Sequence, residues 1–208
     1  MGLHLVSNGR MTATQFSEVV QTVDQYVDYV HIREKQLSAR DLFVYVLTLL
    51  ECGVQSEKLI IHDRVDVAEG LGVRGVQLTT NSLPVEVVRK MNPTLVIGCS
   101  THSHEQVNNA EIGGADFAFY GHVFESISKP GLEPRGLNRV RFITSKTNLP
   151  LIAIGGITPE NTKSVLDNGA SGIAVMSGIL DAIDPKWAAK QYWNAIQESK
   201  EVQSELKT

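Results

Sequence analysis

Leu151-Ile152-Ala153-Ile154-Gly155-Gly156-Ile157-Thr158-Pro159-Glu160-Asn161 holds a complete structural unit. Its first residues are an apolar run that reads as a buried strand, and two glycines then turn the chain outward. Thr158 stands as a cap before a proline at the first helical position, and Asn168-Gly169-Ala170 ends the helix that follows.

The same unit recurs along the whole chain. Strands are predicted at Leu3–Ser7, Tyr29–Arg33, Lys58–His62, Gly75–Leu78, Leu95–Ser100, Phe117–Val123, Leu151–Gly155 and Gly172–Ser177. Amphipathic segments fall between them at Ala13–Gln25, Ser38–Cys52, Val65–Leu71, Val85–Met91, Ser103–Ile112, Leu137–Ser145, Pro159–Asn168 and Pro185–Glu201. Strict alternation means an α/β fold, wound either as an open sheet or as a closed barrel. Near-continuous apolar strands suit a parallel sheet covered on its outer face. Eight repeats in 208 residues favour the (β/α)8 TIM barrel, at the compact end of its size range. No linker or composition shift divides the chain, so residues 1–208 are expected to form a single domain, with 198–208 a polar C-terminal tail.

Hydrophobic content of 42%, charged content of 20% and a net charge of −4 describe an ordinary globular protein. No block of Lys and Arg suits a nucleic-acid backbone. Cys52 and Cys99 lie far apart and form no metal or redox motif, which suits a reducing compartment. Neither a signal peptide nor a membrane-length apolar run is present in the sequence, so a soluble, cytoplasmic protein is expected, without a membrane partner.

In such a barrel the chemistry lies at the carboxyl ends of the strands. Tyr120-Gly121-His122-Val123-Phe124 ends one of them, and a histidine there can take and return a proton near neutral pH. The alternative is a packed histidine at a strand end. Five of the six histidines (His31, His62, His102, His104 and His122) are expected at this one rim. Period-2 alternation puts His31, Arg33 and Lys35 on one side, and the two cations imply an anionic ligand. Gly155 and Gly156 after strand seven, with Ser177 and Gly178 after strand eight, form the expected phosphate seat. Glu125–Arg135 reads as a mobile lid carrying Lys129, or else as a plain surface loop. No metal-binding spacing stands out except the ambiguous His102-Ser103-His104, and no metal is expected.

Taken together these segments resemble the thiamin phosphate synthase superfamily over essentially the whole chain. The superfamily's V-Q-L-R-E-K resembles Val30-His31-Ile32-Arg33-Glu34-Lys35, and its N-D-x-V-D-L-A resembles His62-Asp63-Arg64-Val65-Asp66-Val67-Ala68. Its G-x-S-x-H is similar to Gly98-Cys99-Ser100-Thr101-His102, and its A-I-G-G-I and A-V-x-S-x-I to Ala153–Ile157 and Ala174–Ile179. The resemblance implies a substrate with a thiazole phosphate, held by Arg33, Lys35, His62, Cys99, Ser100, His102, Lys129, Gly155, Gly156, Ser177 and Gly178. It also implies a homodimer, for which Trp187 and Trp193 are candidate contacts.

The synthase joins a pyrimidine pyrophosphate to a thiazole phosphate, with Mg²⁺ offsetting the charge of the departing pyrophosphate. Of its two metal ligands Asp63 is kept, whereas Ser82 in Gln77-Leu78-Thr79-Thr80-Asn81-Ser82-Leu83 stands where an aspartate belongs. Its G-P-V-F-x-T-x-T-K becomes Gly121-His122-Val123-Phe124-Glu125-Ser126-Ile127-Ser128-Lys129. These departures resemble the TenI-type thiazole tautomerases. The expectation is therefore an isomerase that shifts a proton on the carboxythiazole phosphate tautomer, with His122 as acid and base and no metal or redox cofactor. Two alternatives stand beside it: a Mg²⁺-dependent thiamin phosphate synthase, and a non-catalytic regulatory protein that binds thiazole phosphate.

Overall fold

The computed structural model describes residues 2–126 and 131–205, with side chains through Glu201. Its strands are β1 (Leu3–Val6), β2 (Tyr29–Ile32), β3 (Leu59–His62), β4 (Gly75–Leu78), β5 (Val96–Thr101), β6 (Phe117–Gly121), β7 (Leu151–Ile154) and β8 (Gly172–Val175). All are parallel to their neighbours, and β1 pairs with β8 to close the barrel. This is the expected (β/α)8 TIM barrel.

The helices are α1 (Ala13–Val23), α2 (Ala39–Glu51), α3 (Val65–Leu71), α4 (Val85–Met91), α5 (His104–Ile112), α6 (Leu137–Thr144), α7 (Pro159–Asp167), α8 (Ser177–Leu180) and α9 (Pro185–Glu205). Five begin on side-chain caps, α9 among them, where Asp184 accepts the Trp187 N–H at 3.0 Å. Thr12, Ser38, Ser103 and Thr158 accept the backbone N–H of Gln15, Asp41, Gln106 and Asn161. Each such cap satisfies an orphan helix donor and is worth about 1 kcal/mol. Because every βα turn lies at the carboxyl rim, these caps also fix the loops around the site.

Several element ends depart from the sequence reading, and β6, expected to reach Val123, stops at Gly121. The strand predicted to reach Ser177 stops at Val175, because Ser177 opens the four-residue helix α8. A single helical turn carries too little periodicity to be seen in the sequence. The last helix runs on to Glu205, and Ser199, inside the expected tail, is 1% exposed. Packing of α9 on α1 and α7 extends the helix beyond the apolar pattern. Trp193 on α9 lies against Tyr26, with ring centroids 6.1 Å apart, whereas Trp187 is exposed. Among the described residues no helix is long and apolar enough to cross a membrane.

The core has two shells. The larger lies between the sheet and the helices. The smaller fills the barrel interior with Val6, Phe117, Phe119, Ile152 and Ala174. Gly98 makes room for that interior, since a Cβ there would lie 2.2 Å from Gln77 Oε1 and 2.3 Å from the Phe117 ring.

Candidate active site

The carboxyl rim gathers most of the polar residues picked out in the sequence. Ser7, just past β1, organises the start of the β2–α2 loop. Its hydroxyl accepts the Arg33 N–H at 2.8 Å and donates to the Glu34 carboxylate at 2.6 Å. Arg33 and Lys35 then place their charge against His62. Burial first, and those two cations next, hold the His62 imidazole neutral, with its pKa lowered to about 3.

Asp63 follows His62 with φ of 65°, a left-handed backbone that few residues besides glycine adopt. Its carboxylate accepts the Ser82 hydroxyl at 2.5 Å, and that hydroxyl in turn accepts the Thr79 N–H at 2.7 Å. Ser82 therefore occupies the place beside Asp63 that the sequence motif gives to a second carboxylate. Ser100 accepts a hydrogen bond of 3.1 Å from Gln77 Nε2, inside the barrel. Cys99 alternates away from the interior into the outer shell. It meets the site only through a side cavity of about 310 Å³ that it lines with Thr79, Ser82, Ser100 and Gln106. Burial, and secondarily Asp116, pushes its thiol up to about 12, so it holds no thiolate near neutral pH.

The junction after β6 is tied down from several directions. The Gly121 carbonyl accepts from His102 Nδ1 and from Arg135 Nε, both at 2.9 Å. Arg135 also donates from Nη1 to the His102 carbonyl at 2.8 Å and lies 6.0 Å from the Tyr120 ring centroid. His122 donates from Nε2 to the Leu132 carbonyl at 3.1 Å, and the Arg135 and Gly136 amides bind the carbonyls of His122 and Val123. His122 thus stands at the rim as expected, with one ring nitrogen engaged in its own loop. Lys129 lies outside the described residues.

Gly155 and Gly156 carry φ of +96° and +67° and let the β6 and β7 loops touch. The Val123 and Phe124 amides donate to the Ile154 and Gly155 carbonyls, both at 3.0 Å. Ser177 and Gly178 are the first residues of α8, after the neighbouring strand β8. A Cβ on Gly178 would lie 2.2 Å from the Tyr192 hydroxyl, which donates to the Ile157 carbonyl at 3.1 Å.

The expected histidine rim is smaller than the sequence suggests. His31 sits one layer down in the barrel, fully buried between His4 and His62. His104 packs edge-on against Phe142 of α6, 5.6 Å away, because it is the first residue of α5. His102, His122 and the edge of His62 remain. Ser7, Gln77 and Arg135 escaped the sequence reading. Their partners lie 26, 23 and 14 residues away, and only Ser7, at the end of a predicted strand, carried a local signal.

The superfamily resemblance implies Mg²⁺. Asp63 offers one carboxylate and Ser82 a hydroxyl already committed to it. Among the described residues no group of three acidic, histidine or cysteine side chains could hold a metal. Mg²⁺ is commonly held by one or two carboxylates together with phosphate oxygens and waters. The site fits such an ion as one shared with a phosphorylated ligand.

The family model described as thiamine monophosphate synthase matches residues 3–179. The chain is 31% identical over 204 residues to the thiamine-phosphate synthase of Pyrococcus horikoshii, covering 94% of this chain and 95% of that one. It is 38% identical over 163 residues to the thiamine-phosphate synthase of Coprothermobacter proteolyticus, covering 77% of each. The solved thiamine phosphate pyrophosphorylase of Pyrococcus furiosus superposes with a TM-score of 0.81 at 29% identity, covering 95% and 96%. These relatives overturn the expected tautomerase. His122 in place of a proline and Ser82 in place of an aspartate suggest a change of reaction, yet relatives spanning nearly the whole chain carry the synthase name. Departures confined to the Ser82 and His122 segments weigh less than a match over residues 3–179. The chain belongs to the thiamine monophosphate synthase family.

Proposed function

We propose that this chain is an enzyme of thiamine biosynthesis, a thiamine-phosphate synthase that joins a pyrimidine pyrophosphate to a thiazole phosphate. In that reaction the carbon–oxygen bond to pyrophosphate breaks and its electron pair leaves with the pyrophosphate. The thiazole nitrogen gives its lone pair to the same carbon. No proton moves in this exchange, so the protein's contribution is orientation and charge stabilisation. The observation that carries the reading is that Arg33, Lys35, Asp63 and Ser100 stand on one barrel mouth in a chain whose full-length relatives bear the synthase name.

In this reading Arg33 and Lys35 receive an anionic group, the guanidinium by its paired donors and the ammonium as a point charge. Gly155 and Gly156, with Ser177 and Gly178, bring backbone amides to the thiazole phosphate. Asp63 would hold Mg²⁺, which when bound offsets the charge of the departing pyrophosphate. Lys129 remains a candidate for the same task. His122 holds its loop through the Leu132 carbonyl rather than moving a proton.

The test supplies both precursors with saturating Mg²⁺ and follows thiamine phosphate by mass. Wild type is expected to form it, and Arg33→Met to lose about 10²-fold or more in rate, the scale of removing one preorganised charge contact. Absence of product from wild type at saturating Mg²⁺ sinks the reading. A second measurement addresses the metal alone. Ser82→Asp restores a second carboxylate and is expected to tighten Mn²⁺ binding, read by electron paramagnetic resonance, by about tenfold or more. Unchanged Mn²⁺ affinity would remove Asp63 and residue 82 as a metal pair.

A further inference from the structure

On the outside of the barrel, α2 turns an apolar stripe to solvent. Phe43, Val44 and Leu47 are 37%, 54% and 37% exposed in the middle of the helix. Scattered exposed apolar groups are ordinary, but a contiguous stripe of them marks a contact surface. The ground beside the stripe is low. Gly70 of α3 has no side chain there, and a Cβ on it would meet the Phe43 ring at 3.8 Å.

Arg40 and Glu51 are exposed and close the two ends of the stripe. Positions 40, 44, 47 and 51 are spaced by four, three and four residues, so they share one side of the helix over about 16 Å. Neither charge serves the helix itself. A cation in the first turn and an anion in the last both oppose the helix dipole. Among the described residues, neither forms an ion pair. Their use has to be sought outside the chain.

A stripe that runs from a positive end through an apolar middle to a negative end is its own complement when reversed. A two-fold axis that sets Arg40 of one helix opposite Glu51 of another also sets Val44 opposite Leu47. Parallel helices would instead bring like charges together. We infer that α2 docks antiparallel on α2 of a second copy of this chain, with Val44 on Leu47 at the centre and Arg40 beside Glu51 at both ends. This is a different face from that of Trp187, which stands on α9 on the far side of α1. The inference does not depend on which reaction the barrel runs.

Sedimentation velocity of the full chain, loaded from about 1 to 100 µM, tests it. Wild type is expected to form a dimer within that range. A chain that stays monomeric throughout overturns the inference and leaves the stripe to some other protein. Leu47→Lys alters an exposed position, so the fold should persist by circular dichroism. It should weaken the dimer about a hundredfold or more, because both copies carry the change into the centre. Trp187→Ala should leave the dimer as it is. Arg40→Glu and Glu51→Arg should each weaken it about tenfold through like charges at both ends, and a mixture of the two variants should pair again. An undiminished dimer in folded Leu47→Lys, or a dimer lost in Trp187→Ala, puts the interface elsewhere and overturns the inference. Failure of the mixed charge variants to recover overturns the antiparallel pairing. If Leu47→Lys does not fold, the charge variants decide alone.

Discussion

Acidification from pH 7 to pH 5 is expected to lower stability by about 2 kcal/mol through His4 alone, with His31 and His62 acting in the same direction. The His4 and His31 rings are wholly buried. Burial lowers the His4 pKa to about 3 and pushes His31 well below its ordinary value, His4 and His62 adding to the effect on His31. In the unfolded chain both return to about 6.5. Above that value neither state binds a proton here, and these histidines give no pH dependence. Below it the unfolded chain binds the protons that the fold refuses, so stability falls as pH falls. The slope is about 1.4 kcal/mol per pH unit for each ring, and for His4 it persists down to its folded value near 3. His62 adds in the same direction, with Arg33 and Lys35 beside it. Carboxylates that the fold holds low, such as Asp66 and Glu111, act in the same sense but only below the ordinary carboxylate range. The window between pH 7 and pH 5 therefore belongs to the histidines. A loss of about 2 kcal/mol from one ring, with the other two adding to it, is a large share of a typical domain's total. Urea midpoints at pH 7.5, 6 and 5 would measure it. His31→Gln removes one of three titrating rings and should flatten the dependence by about a third, and a midpoint unchanged between pH 7.5 and 5 would refute buried neutral rings at His4 and His31.

The barrel was legible because its signals are local. Thr158-Pro159 and Asn168-Gly169 bracket α7 within ten residues of each other, and the Thr158 cap read from the sequence is present, with Asn161 completing a capping box that the reading did not include. The site was legible as far as strand ends and parity reach. Arg33, Lys35, His62, Asp63 and Ser82 fall where their sequence positions put them, and the Ser82 hydroxyl meets Asp63 across 19 residues. Depth was less legible than side. Parity placed His31 correctly on the inner face of β2, but nothing in Val30-His31-Ile32 tells whether the ring ends at the rim or one layer beneath it. Gln77 and His4 were passed over for the same reason, since a polar residue in an apolar run gives no hint of its partner on another strand. Arg135 binds two carbonyls that converge only once β5 and β6 are side by side. The reaction was least legible. His122 is a capable acid and base by type, yet its use depends on what its ring meets, and here Nε2 meets a carbonyl of its own loop.

Replacement of Gly156 by alanine should be among the most damaging single-methyl changes in the chain. A Cβ there would stand 2.2 Å from the Glu125 carbonyl oxygen and 2.8 Å from Phe124 Cβ. The first of these is backbone, so the clash cannot be relieved by turning a side chain. The residue also holds φ at +67°, which costs a non-glycine residue about 1–2 kcal/mol before any contact is counted. Gly155 is placed likewise, with φ of +96° and a Cβ site 2.4 Å from that of His122. Relief of either clash has to move the β6 loop away from β7, against the bonds from Val123 and Phe124 to the Ile154 and Gly155 carbonyls. Those bonds hold the two sides of the proposed phosphate seat together. Gly156→Ala is therefore expected to cost about 3 kcal/mol or more, strain and lost contacts combined. Gly72 supplies the control. It caps α3 at φ of +60° with nothing within 4 Å of its Cβ site, so Gly72→Ala should cost the conformational strain alone, about 1–2 kcal/mol. Urea unfolding of the two variants separates crowding from strain. Equal losses would mean that the β6 and β7 loops yield freely, and that the glycines at the mouth serve backbone conformation without holding the two loops in contact.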